Sequence, residues 1–179
     1  MLVEVYGSLL NPYERNKIKG TMTEKGIVER KGWKPSFDKK SHTRNEAVLN
    51  LVQTNDSNDV YYTYVYEADN DAYVDIMSRE MGRTNIENRK NSEQAKFNSY
   101  RPVQLESNLG TARIFVIPKN ERIPNTTSWD AEYVIIVRKG IETSFKNRPK
   151  EKEANLWALK RAVEESGQKC KREMDTKQQ

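Results

Sequence analysis

The sequence predicts an α+β protein built around one main domain. Three observations carry this reading. Short runs rich in β-branched and aromatic residues fill the first two-thirds, a stretch of helical spacing interrupts them near residue 70, and a charged helical stretch closes the chain. The length of 179 residues suits one core, or one core with a tail, since single cores commonly hold about 100–200 residues. We divide it into a domain over residues 1–148 and a C-terminal helix with polar tail over 149–179.

The elements follow in order. Leu2 to Tyr6 alternates and ends at Gly7-Ser8, a short strand feeding a tight turn. Asn11 caps and Pro12 opens a short helix. Gly26 to Arg30 is a strand; Trp33 to Phe37 is another, placed at an edge by Pro35. Ala47 to Val52 is a nearly continuous apolar run, expected as a buried central strand. After the turn over Asn55 to Asp59, Val60 to Glu67 is the clearest strand in the chain. Ala68, Ala72, Ile76 and Met77 then recur at helical spacing, which predicts a helix over 70–81 with Asn70 as N-cap and Gly82 as stop.

Residues 83–98 are polar and read as a solvated excursion. Tyr100 to Glu106 and Ala112 to Ile117 read as a strand pair joined at Ser107 to Gly110, followed by a loop over 118–128. Trp129 to Arg138 is ambiguous, because Val134 to Val137 favours strand in an otherwise helical region. Pro149 starts a helix with Leu156, Leu159 and Val163 on one face. Gly167 is expected to end it, leaving a frayed polar tail.

Composition narrows the function classes. No apolar run approaches the roughly 20 residues that span a bilayer, and the mean hydropathy is −0.95, so a membrane-embedded protein is not expected. The N-terminus shows no basic segment before an apolar stretch, and Cys170 is the lone cysteine, so a cytoplasmic, reducing setting is the expectation. Lys+Arg total 31 and Asp+Glu 26. From Arg138 onward there are 12 basic and 7 acidic residues, so the first 137 residues hold 19 of each. The excess therefore sits in one C-terminal segment. A solvated helix and tail accounts for it, and binding of nucleic acid or an acidic partner there is the alternative.

Markers of chemistry are few. His42 is the only histidine and sits in a polar turn, which disfavours a Ser-His-Asp arrangement. No zinc-ligand cluster, phosphate-binding loop, dinucleotide loop or HExxH helix is present, and no metal or cofactor is expected. Two segments remain. The strand ending Tyr6-Gly7-Ser8-Leu9-Leu10 can turn so that backbone N–H groups face a cavity and receive a carboxylate or a developing oxyanion. An ordinary strand-to-loop turn is the competing reading. Glu80 lies at the C-terminal end of the predicted helix, beside core-facing Ile76 and Met77. Partial desolvation and the helix dipole would both raise its pKa, making it a base near neutrality. From position alone, a surface glutamate paired with Arg79 or Arg83 explains it as well.

Together these segments resemble the γ-glutamylcyclotransferase superfamily, which includes γ-glutamylcyclotransferases, γ-glutamylamine cyclotransferases and ChaC-type glutathione-degrading enzymes. The resemblance covers roughly residues 2–142. Tyr6 to Leu10 matches the substrate loop, departing at Leu9, where many members carry Asn. Val65 to Gly82 matches the strand, helix and catalytic-glutamate segment and assigns that glutamate to Glu80. Tyr100 to Val103 resembles the strand that follows, here after the longer insertion over 83–98. Ala112 to Val116 resembles the next strand, and Tyr133 matches an aromatic that some members place over the substrate. The resemblance implies a mixed β-barrel with flanking helices and a small γ-glutamyl substrate cyclised to 5-oxoproline without a cofactor. It assigns Glu80 as general acid/base, with Tyr6, Gly7, Ser8, Leu9, Leu10, Tyr100 and Tyr133 binding the substrate. The 83–98 and 118–128 segments would shape the leaving-group pocket. A domain of this fold that binds without catalysing is the alternative.

Overall fold

The computed structural model describes residues 1–40, 46–81, 100–123 and 129–176. His42, Arg44, Gly82, Arg83 and the excursion over 83–98 lie outside the described residues, as do residues 124–128 of the expected loop.

The strands are β1 (Leu2–Val5), β2 (Met22–Lys31), β3 (Trp33–Lys40), β4 (Ala47–Gln53), β5 (Val60–Ala68), β6 (Arg101–Leu105) and β7 (Ala112–Val116). The helices are α1 (Pro12–Arg15), α2 (Asn70–Met81), α3 (Ala131–Ser144) and α4 (Pro149–Thr176). Five strands form one sheet in the order β2-β5-β1-β7-β6, and β3 pairs β4 in a second sheet. Every pairing is antiparallel except β1 with β7. The fold is mixed α+β as expected, and the described strands make two sheets without closing into a barrel.

Strand alternation builds the core. Val3 and Val5 of β1, Tyr62, Tyr64 and Tyr66 of β5, and Phe115 of β7 share one face of the large sheet. Against them pack Phe37 and Leu49 from the small sheet, Ala72 and Ile76 from α2, Val137 and Ile141 from α3, and Leu159 from α4. The intervening residues point the other way. There Glu4 is 2% exposed and receives Arg30 Nε at 2.8 Å and Thr63 Oγ1 at 2.6 Å, while Arg30 Nη1 donates to the Glu106 carbonyl at 2.8 Å. Adjacent strands β1, β5 and β2 are thereby tied by one charged network whose buried atoms have partners.

Four expectations need correction. Asn70 is not the cap of α2: Asp69 takes that place, its Oδ1 accepting from Ala72 N at 2.8 Å and its carbonyl from Tyr73 N at 3.0 Å. β4 is buried but not central, because its two-stranded sheet is covered by other layers rather than flanked by strands. The ambiguous 129–138 region is helical from Ala131, because Asp130 caps it and Val137 and Ile141 reach the core at i, i+4 spacing, while Trp129 bridges Ala47. Gly167 does not end α4, which runs to Thr176; the residues beyond it are good helix formers, and a lone glycine costs only about 1 kcal/mol.

β1 and β5 last pair at Val5 and Tyr64. Past that point β1 leaves the sheet, and the backbone of Tyr62 finds its partner in a side chain. Asn155 of α4 is fully buried; its Oδ1 accepts from Tyr62 N and its Nδ2 donates to the Tyr62 carbonyl, both at 2.8 Å. One amide thus imitates a neighbouring strand and frees the end of β1 to turn away.

Two outcomes follow for stability, each read by urea denaturation. Glu4→Ala strands the buried Arg30 guanidinium and lowers stability by about 3–5 kcal/mol, whereas Glu4→Leu with Arg30→Met recovers most of that loss. Asn155→Leu leaves both Tyr62 backbone groups unmatched and costs about 2–4 kcal/mol.

Candidate active site

The chain departs from β1 at Tyr6 and enters a 3-10 turn over Gly7–Leu10. Gly7 has φ +59, a conformation that side-chain-bearing residues rarely adopt. The turn is held rigidly from behind. Arg15 Nη1 donates to the Leu9 carbonyl at 2.9 Å, and Ser144 Oγ donates to that of Leu10 at 2.6 Å. The Ser8 carbonyl accepts from Asn11 N at 3.0 Å. Helix α3 lies directly against the turn at Gly140, where a Cβ would come within 2.6 Å of Asn11 N. With the carbonyls engaged, the first N–H groups of the turn have no partner within it.

A cavity of about 160 Å³ opens beside this turn. Tyr6, Gly7, Ser8, Leu9, Glu80, Tyr100 and Tyr133 all line it. Of the site residues expected from the sequence, Leu10 alone is elsewhere: it is fully buried among the core residues, because the 3-10 turn rotates its side chain inward. Glu80 arrives on the last turn of α2, which is anchored through Arg79 Nε on Asp75 at 2.8 Å and Asp75 on the Lys19 amide at 3.2 Å. Arg79, also at the cavity wall, donates in addition to the Lys17 carbonyl. These two bonds tie the end of α2 to the chain at Lys17.

Three phenols line the same cavity. Tyr6 Oη donates to the Phe115 carbonyl at 2.6 Å, and Tyr100 Oη donates to that of Leu49. The Tyr133 hydroxyl sits 3.4 Å from where a Cβ on Gly7 would lie, so a larger residue at position 7 would press on it. Burial and the nearby Glu80 charge push the Tyr6 phenol well above its ordinary pKa, and burial together with the Tyr6 phenol does the same at Tyr100. Both stay protonated at any physiological pH. Glu80 itself is half-buried, and desolvation pushes its pKa up to about 7 against the opposing charges of Lys39 and Arg79.

Lys39 is the residue that the sequence reading missed. It is 5% exposed on β3, lines the same cavity, and holds Nζ 4.7 Å from the centroid of the Tyr100 ring. Burial lowers its pKa, with Glu80 pulling the other way. Strand alternation offered no signal, because the register of β3 on β4 shifts between Ser36 and Lys39 and Phe37, Asp38 and Lys39 are all buried. The polar sequence 38–44 concealed it. Among the described residues, no group of His, Cys, Asp and Glu side chains could hold a metal, and no helix is long and apolar enough to cross a membrane.

An acid with a pKa of about 7 and the start of a 3-10 turn meet at a cavity of small-molecule size, an arrangement suited to moving a proton on a bound small molecule. No protein-family model matches the chain, and no curated protein does. Solved structures do. A γ-glutamyl cyclotransferase superposes with a TM-score of 0.56 at 16% identity, covering 86% of this chain and 85% of that one. An uncharacterized protein from Homo sapiens, loc79017, gives 0.53 at 15% identity over the same shares. YkqA from Bacillus subtilis gives 0.54 at 15% identity, covering 84% of this chain and 54% of its own. The two-sheet α+β architecture of this chain is the fold of that γ-glutamyl cyclotransferase.

Proposed function

We propose that the protein cyclises a γ-glutamyl compound to 5-oxoproline and releases an amine or amino acid, with Glu80 as general acid/base. The observation that carries this reading is the meeting, in one cavity of this fold, of the Glu80 carboxylate with the turn that starts at Gly7.

The substrate's α-ammonium gives a proton to the Glu80 carboxylate. The freed amine attacks the γ-carbonyl carbon of the same molecule, and a five-membered ring closes. The carbonyl oxygen gathers negative charge and is received by N–H groups of the Gly7–Leu9 turn. Glu80 then returns the proton to the departing nitrogen as the amide C–N bond breaks, and the second proton of the ring nitrogen passes by the same carboxylate to the released amine, leaving a neutral lactam. Attack within one molecule needs the chain held folded, and a rigid cavity of this size supplies that restraint. A pKa near 7 suits both halves of the proton's path, because Glu80 then gains and loses it at little cost. Tyr6, Tyr100 and Tyr133 form the wall that keeps water from the carboxylate, and Ser8 and Leu9 complete the substrate's surroundings.

Purified protein incubated with γ-glutamyl amino acids, γ-glutamylamines and glutathione is expected to form 5-oxoproline from at least one of them, followed by mass spectrometry. Its absence from all three would falsify the proposal. Glu80→Gln is expected to lower kcat at least 100-fold. Stability supplies an independent readout. A carboxyl with a raised folded-state pKa binds its proton more tightly when folded, so its contribution is complete below its ordinary pKa and lost as pH rises through about 7. Glu80→Gln is accordingly expected to raise the Tm by several degrees at pH 8 relative to wild type, and to change it little at pH 4.5.

The catalytic pH profile has the opposite sense. Glu80 must be ionised to take the first proton, so kcat/KM is expected to climb with pH through about 7 and then level off. A profile flat from pH 5 to 9 assigns the proton transfer to another group.

A further inference from the structure

A lysine with 5% exposure in the wall of a small cavity demands an explanation, because a long cationic side chain ordinarily reaches for water. Lys39 does not. It comes from the small sheet and places its ammonium over the face of Tyr100, an arrangement that attracts a cation and holds it beside the cavity. Glu80 comes to the same cavity from the far end of α2. Two elements distant in sequence therefore bring one acid and one base to a space of about 160 Å³. A cavity of about 150 Å³ holds a molecule the size of benzene, so these charges have room for one small polar head.

The complement of a paired carboxylate and ammonium is a group carrying both charges in reverse, as the head of an α-amino acid does. Building on the function proposed above, we propose that Lys39 is the specificity-determining cation of this site. It binds the α-carboxylate of the substrate while Glu80 faces the α-ammonium, which leaves the Gly7–Leu9 amides to the reacting carbonyl oxygen. The substrate class is then narrower than any 4-aminoacyl amide able to close a five-membered lactam: the carbon bearing the amine must also bear a carboxylate. Arg79, at the same wall, gives its Nε to Asp75 and an Nη2 hydrogen to the Lys17 carbonyl.

The test compares substrates that differ only in that carboxylate. A γ-glutamyl amide closes to 5-oxoproline, and the corresponding 4-aminobutanoyl amide closes to 2-pyrrolidinone with release of the same amine. Lys39→Met is expected to lower kcat/KM for the first roughly 50-fold, the worth of a charge-assisted hydrogen bond, and for the second less than about threefold. Lys39→Arg retains part of the preference. Equal losses on both substrates, or none on the first, overturn the proposal, since a change confined to folding or to Glu80 would affect both alike.

Calorimetric binding of the two lactams makes the same comparison without turnover. Lys39→Met is expected to weaken 5-oxoproline at least tenfold and to leave 2-pyrrolidinone unchanged. Parallel losses, or no binding of 5-oxoproline by wild type, overturn the proposal. Lys39→Gln gives the same readouts should the methionine variant not fold. Wild type that binds 5-oxoproline through Lys39 but forms none removes the proposed reaction and keeps this recognition. Turnover indifferent to Lys39 does the reverse.

Discussion

The desolvation of one carboxylate organises this molecule. Glu80 stands at the C-terminal end of α2, where the helix dipole disfavours an anion, and borders a cavity that Tyr6, Tyr100 and Tyr133 also line. Desolvation outweighs the nearby cations Lys39 and Arg79 and pushes the pKa up to about 7. Such a carboxylate destabilises the protein when ionised. The surrounding structure has to offset that cost.

The offset begins at β1. For the Gly7 turn to reach the cavity, β1 must leave the sheet after Val5, which would orphan the backbone of Tyr62. Asn155 takes both groups from a helix more than ninety residues away in sequence. Gly140 allows α3 to close on the turn from behind, and Arg15 and Ser144 occupy its carbonyls. Rigid placement of the turn thus depends on contacts from three helices, made by Arg15, Gly140, Ser144 and Asn155, none of which lines the cavity.

Two buried charge arrangements in the protein serve different ends. On one face of the large sheet, Glu4 and Arg30 satisfy each other and their neighbours so fully that little remains to recognise a ligand. At the cavity, Glu80 and Lys39 arise from separate elements and border open space. The first arrangement ties strands together; the second has room between its walls for another molecule's charges.

The sequence by itself determined the local elements and the two segments that matter. Alternation in β1 and β5, the helical spacing over 70–81 and the turn residues at Gly7-Ser8 are nearest-neighbour properties, and they place Tyr6, Gly7, Ser8 and Glu80 on the right elements. Other features rest on relations between distant segments. Only packing chose helix over strand for Val134 to Val137, since those side chains suit either until Ile141 finds the core. Only packing sent Leu10 inward and left β4 in a sheet of two strands. Lys39 shows the reason most plainly: in sequence it is one of several lysines in a polar stretch. Its burial beside Glu80 exists because β3 and the end of α2 meet across a cavity, and desolvation is a property of that meeting rather than of either segment.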